Sequence, residues 1–484
     1  MKYEYDMIVI GGGAAGLTAA GMSAVLGAKT ALVAEGLLGG DCTWSGCVPS
    51  KSLLKAAKVA HQMRSAEKYG LTATQPHHDW NQIIGRVHTI RQRIYEEADA
   101  PPNMEKLGVH VIRAQARFLD RHSVELATNG AVRNLTSRYF VIATGSAPQQ
   151  LQMEGSDRIR CLTNETLFEL DHLPERLLVF GAGPIGIEMA QAFRRLGSDV
   201  VVVNRSTRIL ARDDAELAHL LAEQLRGEGI RLLLGQEVDR IEPGVAYLTG
   251  GERVAFSDVL VATGRRPAIG SLNPGAAGVK ATDKGIAVDR HCRTTAKNIF
   301  ACGDVTGKYL FTHMAEHAAK VAVTNAILHV PASTGDRRVS WCTFTDPELA
   351  HVGAGEEDLK KRGAKYRVYR FPFSKLDRAI AESESVGVVK VFAAPRGQVL
   401  GASILGANAG EMIAEYALAM RAKVGLSTIS STIHPYPTFS SGNRRAADNF
   451  VSSRLTPNLV TWIKRLFRLR GDTRGIVSLN ESAE

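Results

Sequence analysis

The hydrophobic pattern near the start of the chain alternates between apolar runs and a glycine-rich turn. An apolar run at residues 6–10 leads into Gly11, Gly13 and Gly16, a helical stretch follows, and the next apolar run ends at Glu35. A lone G-x-G-x-x-G carries little information. The order strand–turn–helix–strand around it, however, predicts a dinucleotide-binding unit.

The same design recurs about 170 residues later. Residues 176–180 form an apolar run, Gly181, Gly183 and Gly186 follow, and the next apolar run ends at Asn204. Two such units in one chain predict an α/β protein with two Rossmann-like dinucleotide-binding domains.

The rest of the pattern predicts further elements around these two units. We expect helices over residues 48–69 and 79–98, and strands at residues 109–112 and 139–143. The C-terminal part has strand-like runs such as residues 386–392, then helical patterns, and lacks a glycine fingerprint, which predicts an α+β module. We therefore predict a first nucleotide-binding domain, a second one, an interface domain and a tail, over residues 1–149 with 281–335, 150–280, 336–450 and 451–484.

Composition excludes several classes of protein. Hydrophobic residues make up 45% and charged residues 22% of the 484 residues, as in ordinary folded proteins. Six cysteines are too few for a secreted disulfide framework. Neither a signal peptide nor a long apolar run is present, so we expect a cytoplasmic protein. The net charge of +10 is spread along the chain without a nucleic-acid motif, so we expect no nucleic-acid partner.

The first glycine turn has the features of a site for FAD or NAD. Gly11 would make the tight turn, Gly13 would let the backbone approach a pyrophosphate, and Gly16 would let helix and strand pack closely. The N-terminus of the helix offers N–H groups and a positive dipole end to the phosphates. Glu35 stands where a carboxylate bonds ribose hydroxyls and would repel the 2′-phosphate of NADP.

The second glycine turn differs at the matching position. Asn204 replaces the acidic residue, and Arg205, Arg208 and Arg212 follow it. Guanidinium groups in place of a carboxylate favour a 2′-phosphate, so we expect NADPH here, with NADH as the alternative donor. The competing interpretation of these arginines is an exposed basic loop.

Two cysteines, Cys42 and Cys47, lie five positions apart just before a helical run. A metal site would need further Cys or His at matching spacing, and none is found, so we predict a redox dithiol. Cys47 would lie near a helix N-terminus, where the dipole favours the thiolate. Cys42, which we expect nearer solvent, would exchange with the substrate.

The segment GGDCTWSGCVPSK at residues 39–51 is similar to the active-site signature of the pyridine nucleotide–disulfide oxidoreductase family, which includes dihydrolipoamide dehydrogenase, glutathione reductase and mercuric reductase. The resemblance extends over about residues 4–450, nearly the whole chain. It implies a homodimeric flavoprotein with an FAD domain, an NAD(P)H domain and an α+β dimerisation domain. Further motifs of the family follow in order: ATGS at 143–146, ATGRRP at 262–267, ACGD at 301–304, FTDPE at 344–348 and NAGE at 408–411.

This resemblance also implies roles for single residues. Electrons would pass from the flavin to a Cys42–Cys47 disulfide. Asp304 would hold the ribityl and phosphate part of FAD, and Lys51 and Glu188 would form an ion pair beside the flavin ring. Further cofactor contacts are expected at Gly40, Thr144, Gly145 and Gly264.

One family motif is broken. Disulfide reductases of the family carry His-Pro-Thr-x-Ser-Glu, in which the His of the partner subunit is the acid–base and the Glu orients it. Here Tyr436 stands at the His position and Ser441 at the Glu position. Tyrosine, with a reference pKa of about 10, is a poor base at neutral pH. His434, two residues before Tyr436, is the alternative base; a turn or core histidine is its competing interpretation.

The broken motif bears on the electron acceptor. Mercuric reductases carry a Tyr at the matching place, but they usually end in a vicinal Cys pair, and no cysteine follows Cys342 here. We therefore expect Hg(II) or another thiol-reactive oxidant, with dihydrolipoamide dehydrogenase as the alternative. A membrane-docked flavin redox sensor or electron-transfer subunit is the alternative from another class.

The C-terminal stretch at residues 451–475 predicts a basic amphipathic helix. Leu455, Leu459 and Ile463 recur at helical spacing, and Lys464 and Arg465 lie among them. Such a helix is typical of an element that docks on a membrane surface or a partner protein. Packing on the enzyme's own dimer is the competing interpretation.

Overall fold

The chain divides into two compact units, and each is built from segments that are distant in the sequence. The computed structural model describes residues 3–77, 79–128, 130–335 and 338–471. The first unit comprises Met1–Arg64, Thr74–Arg205 and Gln236–Asp336, and the second comprises Ser65–Ala73, Ser206–Gly235 and Arg337–Glu484. The four-part division predicted above remains a prediction.

The strands are named here in chain order. The first unit begins with β1 (Tyr5–Ile10), β2 (Thr30–Ala34), β3 (Val109–Arg113), β4 (Gln115–Phe118), β5 (Ser123–Thr128), β6 (Ala131–Ile142), β7 (Ser146–Pro148), β8 (Cys161–Leu162), β9 (Arg176–Phe180) and β10 (Asp199–Asn204). The next strand, β11 (Arg231–Leu234), belongs to the second unit. The chain then returns to the first unit with β12 (Val238–Glu242), β13 (Val245–Leu248), β14 (Arg253–Ala255), β15 (Asp258–Val261), β16 (Arg265–Pro267), β17 (Ala281–Thr282), β18 (Gly285–Ile286) and β19 (Ile299–Ala301). The remaining strands of the second unit are β20 (Ser340–Thr343), β21 (Glu348–Gly353), β22 (Arg367–Pro372), β23 (Val388–Ala393) and β24 (Val399–Gly406).

The α-helices follow the same convention. The first unit contains α1 (Ala14–Val25), α2 (Gly40–Trp44), α3 (Cys47–Arg64), α4 (Trp80–Ile94), α5 (Pro101–Lys106), α6 (Pro184–Leu196) and α8 (Thr312–Val323). The second contains α7 (Ala215–Gly227), α9 (Glu356–Lys361), α10 (Asp377–Ala381), α11 (Ala409–Ala422), α12 (Leu426–Ser431), α13 (Ser441–Ser453) and α14 (Pro457–Leu466).

The larger sheet of the first unit has the strand order β3-β2-β1-β6-β5-β4, and β19 also pairs with β6. Its core is parallel: β1 lies between β2 and β6, and β3 and β19 run the same way. All five residues of β2 are buried, as expected for a parallel strand covered on both faces. The β6–β19 pair brings the chain back to this sheet after the second nucleotide-binding fold.

The second fold of this unit repeats the design on a smaller scale. Its strands run in the order β10-β9-β15-β8, and all three pairs are parallel. Helix α6 follows β9 and ends at Gly197, whose φ of +116° closes the helix with a left-handed residue. The predicted α/β class with two Rossmann-like folds is confirmed.

The sheet of the second unit is antiparallel, in the order β20-β21-β24-β23-β22. Its buried cluster joins these strands to α11, α12 and α13. A charged residue, Lys390 on β23, is buried in this sheet, with a side chain that is 3% exposed. Its ammonium lies 2.8 Å from Asp214 and 3.0 Å from Glu216, which offsets the cost of burying the charge.

Several helix ends differ from the sequence prediction. Helix α3 ends at Arg64 rather than at residue 69, because the last residues form a separate 3₁₀ turn at Ala66–Tyr69. Helix α4 begins after Asp79, whose carboxylate caps Gln82 N–H. In the tail, α13 ends at Ser453 and α14 starts at Pro457, so the predicted basic helix is shorter than residues 451–475. Residues 472–475 lie outside the described residues.

Candidate active site: the cysteine loop and two nucleotide-binding turns

Cys42 and Cys47 lie on consecutive short elements of the first unit. Cys42 is in α2, and Cys47 is the first residue of α3. Both are reduced thiols in this structure. Gly39 precedes α2 with a φ of +99°, and a Cβ there would lie 2.8 Å from the Asp99 carboxylate, so this position requires glycine. The Thr43 hydroxyl donates to the same carboxylate across 2.5 Å and fixes the loop.

The surroundings of Cys47 favour its thiolate. The Cys42 thiol and the Thr312 hydroxyl, 3.3 Å away, hydrogen-bond to the Cys47 sulfur, and the Lys51 charge adds to this effect. Together they lower the pKa of Cys47 to about 6 against the opposing effect of burial. The hydrogen bond with Cys47 and burial raise the pKa of Cys42 well above its ordinary value. At neutral pH the pair therefore holds one thiolate and one thiol.

The two thiols differ in exposure within the protein chain. Cys47 is exposed and Cys42 is half-buried, and the expectation that Cys42 is the thiol that exchanges with the substrate stays a prediction. The physical reason is the position of each residue. Cys42 lies inside the α2 turn, which the buried Thr43 ties down, whereas Cys47 opens the next helix.

The structure contains the ion pair expected between Lys51 and Glu188. Lys51 Nζ lies 2.8 Å from Glu188 Oε2. Lys51 lies one helical turn after Cys47 on α3, and Glu188 lies on α6 of the second nucleotide fold. The Glu188 side chain is 6% exposed, and the paired ammonium of Lys51 offsets part of the cost of burying this charge.

A second charged cluster ties the cysteine loop to the position expected for FAD. Arg265 donates to Ser146 Oγ across 2.7 Å and to Asn164 Oδ1 across 2.9 Å, and it pairs with the carboxylate of Asp41, the residue before Cys42. Ser146 Oγ in turn donates to Asp304 Oδ2 across 2.7 Å. Burial raises the pKa of Asp304, and the Ser146 hydrogen bond and the Arg265 charge oppose that rise.

The first glycine turn fits a dinucleotide phosphate. Gly11 has a φ of +114°, and a Cβ on it would lie 2.2 Å from the Ala143 carbonyl oxygen. A Cβ on Gly16 would lie 1.8 Å from the Gly11 carbonyl oxygen, so only glycine allows this packing of helix on strand. Gly13 is the N-cap of α1 and has no side chain to cover the first N–H groups, and Gly40 approaches its Cα closely.

The other residues predicted to contact FAD lie around this turn. Glu35 is exposed immediately after β2. Thr144, Gly145 and Gly264 flank the short antiparallel pair of β7 and β16. The Thr144 hydroxyl donates to the Ala268 carbonyl across 2.7 Å, so it also links the segment before β7 to the segment after β16. The glycine turn, the free end of α1 and the exposed carboxylate together suit FAD.

The second glycine turn has the same geometry. A Cβ on Gly181, with φ +100°, would lie 2.6 Å from the Ala262 carbonyl oxygen, and one on Gly186 would lie 2.0 Å from the Gly181 carbonyl oxygen. Open space surrounds Gly183, where a Cβ would meet no atom within 4 Å. This turn at the start of α6 therefore has room for a second pyrophosphate.

The basic residues predicted beside this turn have different surroundings. Asn204 ends β10, and its Oδ1 accepts a hydrogen bond from Ala182 N across 3.3 Å. Arg205 is exposed and lies 3.6 Å from Glu237. Arg208, in the second unit, donates to the Ala211 carbonyl and lies 3.2 Å from Glu357. The guanidinium of Arg208 is thus held by protein groups more closely than that of Arg205.

His434 and Tyr436 both lie in the second unit, and each has a carboxylate partner. His434 Nε2 lies 2.9 Å from Glu415 Oε1, and Nδ1 lies 3.0 Å from the Thr432 carbonyl oxygen. Tyr436 donates to Asp377 Oδ2 across 3.0 Å, and this hydrogen bond raises the pKa of the phenol. Both ring nitrogens of His434 are engaged, whereas the Tyr436 side chain is 72% exposed.

Sequence reasoning missed four residues of the redox site: Thr312, Asp99, Asp41 and Arg265. Arg265 and Asp41 lie inside motifs noted above, but their pairing joins positions 224 residues apart. Thr312 is 265 residues from Cys47, and a threonine opening a helix carries no redox signal by itself. These contacts depend on the folded arrangement, so one sequence could not have indicated them.

Comparisons with known proteins agree with this geometry. Residues 5–319 match the family described as pyridine nucleotide-disulphide oxidoreductase, and residues 339–447 match its dimerisation domain. The chain belongs to the pyridine nucleotide–disulphide oxidoreductase family. It is therefore an FAD-dependent oxidoreductase with NAD(P)H as electron donor, as predicted, and the dimerisation domain indicates a homodimer.

Relatives named mercuric reductase and dihydrolipoyl dehydrogenase, and a solved flavoprotein disulfide reductase, are similar to this chain. The chain is 32% identical over 460 residues to the mercuric reductase of Bacillus cereus, covering 93% of this chain and 72% of that protein. It is 35% identical over 460 residues to the dihydrolipoyl dehydrogenase of Thermus scotoductus, covering 92% and 97%. The solved Cu(II) complex of the HOCl-induced flavoprotein disulfide reductase RclA from Escherichia coli matches with a TM-score of 0.82 and 28% identity, over 93% of this chain and 99% of that one.

Proposed function

We propose that this enzyme oxidises NADPH and passes two electrons through Cys42 and Cys47 to a thiophilic metal ion. The observation that carries the proposal is the setting of the Cys47 sulfur, which is hydrogen-bonded by Cys42 and, at 3.3 Å, by Thr312, and lies one helical turn before Lys51; these groups lower its pKa to about 6, so it is largely thiolate at neutral pH. Thiolates are the ligands that soft ions select. The names of two relatives support the same class of acceptor: mercuric reductase, and RclA in its Cu(II) complex.

The residues of the chain would manage the protons and charges of this reaction. FAD, when bound, supplies the two-electron relay between the nicotinamide and the dithiol. The reduced pair holds a Cys47 thiolate and a Cys42 thiol. When the Sγ–Sγ bond forms again, the pair gives up two electrons and one proton. One Hg(II) or two Cu(II) ions accept those electrons, so the reaction balances without a proton donor for the product.

Lys51 and Glu188 act on the charge of the thiolate from opposite sides. The ammonium of Lys51 stabilises it, and the carboxylate of Glu188 opposes it. Because the two groups are paired at 2.8 Å, Glu188 also fixes the position of Lys51. We assign Lys51 as the residue that holds the thiolate charge and Glu188 as the residue that positions Lys51.

Reduction of a disulfide substrate would need a proton donor. Its cleavage releases thiolates, and the first leaves more easily when an acid is positioned to protonate it. Tyr436 is hydrogen-bonded to Asp377, and both nitrogens of His434 have acceptors. We therefore assign His434 a structural role and expect lipoamide and glutathione disulfide to be poor substrates.

An acceptor screen tests the proposal. The purified holoenzyme is given NADPH with Hg(II), Cu(II), lipoamide, glutathione disulfide or a quinone, and NADPH oxidation is followed. Metal ions should be reduced fastest, and Cys42→Ser should abolish that activity, whereas the matched control Cys161→Ser should not. Turnover of lipoamide as fast as any metal would favour the alternative, dihydrolipoamide dehydrogenase. NADPH oxidation that is insensitive to every acceptor would favour a redox sensor.

We also propose that residues 454–471 bind an anionic membrane surface. Helix α14 and the residue that follows it expose large apolar side chains, among them Trp462 (59%), Leu466 (56%) and Phe467 (64%). Lys464 and Arg465 lie in its last turn, and the sequence from 451 to 471 contains no acidic residue. Basic amphipathic helices with aromatic residues bind anionic lipid through buried apolar area and charge attraction. Among the described residues, every helix is too short or too polar to span a bilayer.

Vesicle sedimentation separates the occupants of this helix. The full-length holoenzyme should sediment with phosphatidylglycerol vesicles and not with phosphatidylcholine vesicles, and Trp462→Ala should weaken the binding. If a chain truncated after Ser453 loses its dimeric state instead, the helix packs on its own dimer. An enzyme that sediments with neither vesicle would contradict membrane binding.

A further inference from the structure

Two cysteines that the redox chemistry does not use lie in one pocket of the first unit. Cys292 and Cys302 are 2% and 1% exposed. Both line a cavity of about 40 Å³, and the thioether-bearing Met314 lines it too. A single water molecule needs about 10–15 Å³ of cavity volume, so the cavity has room for one metal ion.

The backbone brings the two cysteines together. Arg293 and Phe300 form an antiparallel bridge, and the Cys292 carbonyl accepts a hydrogen bond from Ala301 N across 3.1 Å. Cys302 is the next residue after Ala301. In a regular antiparallel pair, successive side chains point to opposite faces, so Cys292 and Cys302 would face away from each other. Cys292, however, has a φ of +61°, which breaks the alternation, and both residues line the cavity.

The cavity reaches the surface of the unit. The exposed residues Asp289 and Lys308 also line it, so an ion has a path from solvent to the buried sulfurs. A thiol binds a metal ion as its thiolate, so an ion that enters the pocket would displace protons from the cysteines.

The donor atoms of the residues that line the pocket determine which kind of metal ion it can bind. Within the described ranges, three or more His, Cys, Asp or Glu side chains nowhere cluster in a way that could hold a metal, whereas structural zinc sites use four such ligands. Two thiolates with a thioether are instead suited to soft ions, such as Cu(I). Among the described residues that line this pocket, Asp289 alone carries a carboxylate, so hard ions are disfavoured.

We propose that Cys292 and Cys302, with Met314 beside them, form a second site for a thiophilic ion, separate from the Cys42–Cys47 pair. On binding Cu(I), each thiol gives its proton to solvent and forms one S–Cu bond, so two protons leave for each ion bound. The two thiolates and the ion carry a net charge of −1, and the ammonium of Lys308 in the same pocket offsets it. No oxidation or reduction is involved.

The experiment removes the redox pair first. The holoenzyme carrying Cys42→Ser and Cys47→Ser is titrated with Cu(I) under anaerobic conditions against a chromogenic Cu(I) chelator. About one Cu(I) per chain should be retained against the chelator. X-ray absorption should give a shell of about two or three sulfur neighbours around the copper, two from the cysteines and a third where Met314 also binds. Adding Cys292→Ser should lower the retained Cu(I) by on the order of tenfold or more, and Met314→Leu should weaken binding less.

Matched controls and the opposing results keep the proposal falsifiable. Cys161→Ser and Cys342→Ser remove thiols that do not line the pocket, and they should leave the retained Cu(I) unchanged. If the chain without the redox pair retains no Cu(I), the site does not exist, and no further variant is needed to decide this. Copper that is lost with Cys161→Ser or Cys342→Ser, or that is bound through nitrogen and oxygen atoms, would also overturn the proposal.

Discussion

Lys51 and Glu188 join the redox helix to the second nucleotide fold: Nζ of the lysine lies 2.8 Å from a carboxylate oxygen of the glutamate. Lys51 shares α3 with Cys47, so the ion pair couples the thiolate to α6, which begins at the second glycine turn. The two charges have opposite effects on the pKa of Cys47. This opposition gives a test in which two substitutions must change one quantity in opposite directions.

We expect Lys51→Met to raise the pKa of Cys47 and Glu188→Gln to lower it. Lys51 stabilises the thiolate by charge, and Glu188 opposes it. The pKa is measured from the pH dependence of iodoacetamide alkylation of the reduced protein, with Cys47 followed by peptide mass spectrometry. Shifts of the same sign in both variants would mean that the helix moves, and that the charges do not act as described.

Thr312→Val should also raise the pKa of Cys47, by about one unit. The Thr312 hydroxyl lies 3.3 Å from the Cys47 sulfur, and hydrogen bonds to charged groups are typically worth about 1.5–3 kcal/mol. Valine keeps the shape of the side chain and removes the hydroxyl. Thr312→Ser, which keeps the hydroxyl, is the matched control and should leave the alkylation profile near that of the parent. An unchanged profile in the valine variant would remove Thr312 from the redox site.

Local patterns predicted the parts of the site that lie within one segment. The glycine turns at Gly11 and Gly181 follow from spacing and from the strand on each side. The contacts that tune the thiolate do not, because Thr312 reaches Cys47 from a helix 265 residues away. The end of α3 at Arg64 was also missed, since the apolar and polar spacing continues through the 3₁₀ turn that follows it.

Asp213 should make stability depend on pH in the acidic range. Burial raises its pKa from 3.8 to about 6, while Trp341 Nε1 donates to it across 2.8 Å. The folded state therefore binds more protons than the unfolded state between about pH 4 and 6, so the free energy of unfolding falls as pH rises through that window. The shift corresponds to at most about 3 kcal/mol.

Asp213→Asn should remove this dependence, because an amide oxygen can still accept from Trp341 and does not titrate. The variant should melt at a higher temperature than the parent at pH 7, with the difference shrinking towards pH 4. Thermal unfolding followed by tryptophan fluorescence measures it, and Asp283→Asn, at an exposed turn, is the control. A parent protein whose stability is flat between pH 4 and 6 would contradict the prediction.

NADPH should be preferred over NADH, and Arg205 should carry most of that preference. Arg205 is 81% exposed in its side chain, whereas Arg208 is engaged by Glu357 and the Ala211 carbonyl. A bidentate bond from a guanidinium to the 2′-phosphate is charge-assisted, so Arg205→Ala should lower the ratio of kcat/KM for NADPH to that for NADH by about tenfold. Arg208→Ala is the comparison and should lower it less. Equal kcat/KM for both nucleotides in the parent enzyme would refute the NADPH assignment.

Tyr436 provides the most demanding test of the proposed acceptor. Its phenol donates to Asp377, which raises its pKa, so it stays protonated at neutral pH and cannot serve as a base. A protonated phenol can still donate a hydrogen bond to a thiolate or orient a bound ion. The family resemblance implies that the partner subunit supplies this motif, so the effect should appear in the dimer. Tyr436→Phe should slow Cu(II) or Hg(II) reduction, while the rate of flavin reduction by NADPH in stopped-flow absorbance stays near that of the parent. Tyr436→His, which restores the family residue, should raise activity with lipoamide.

If Tyr436→Phe leaves metal reduction unchanged and the parent reduces lipoamide rapidly, the proton argument fails. His434→Gln would then be the decisive variant, since His434 has a carboxylate partner in Glu415 and would be the remaining acid–base.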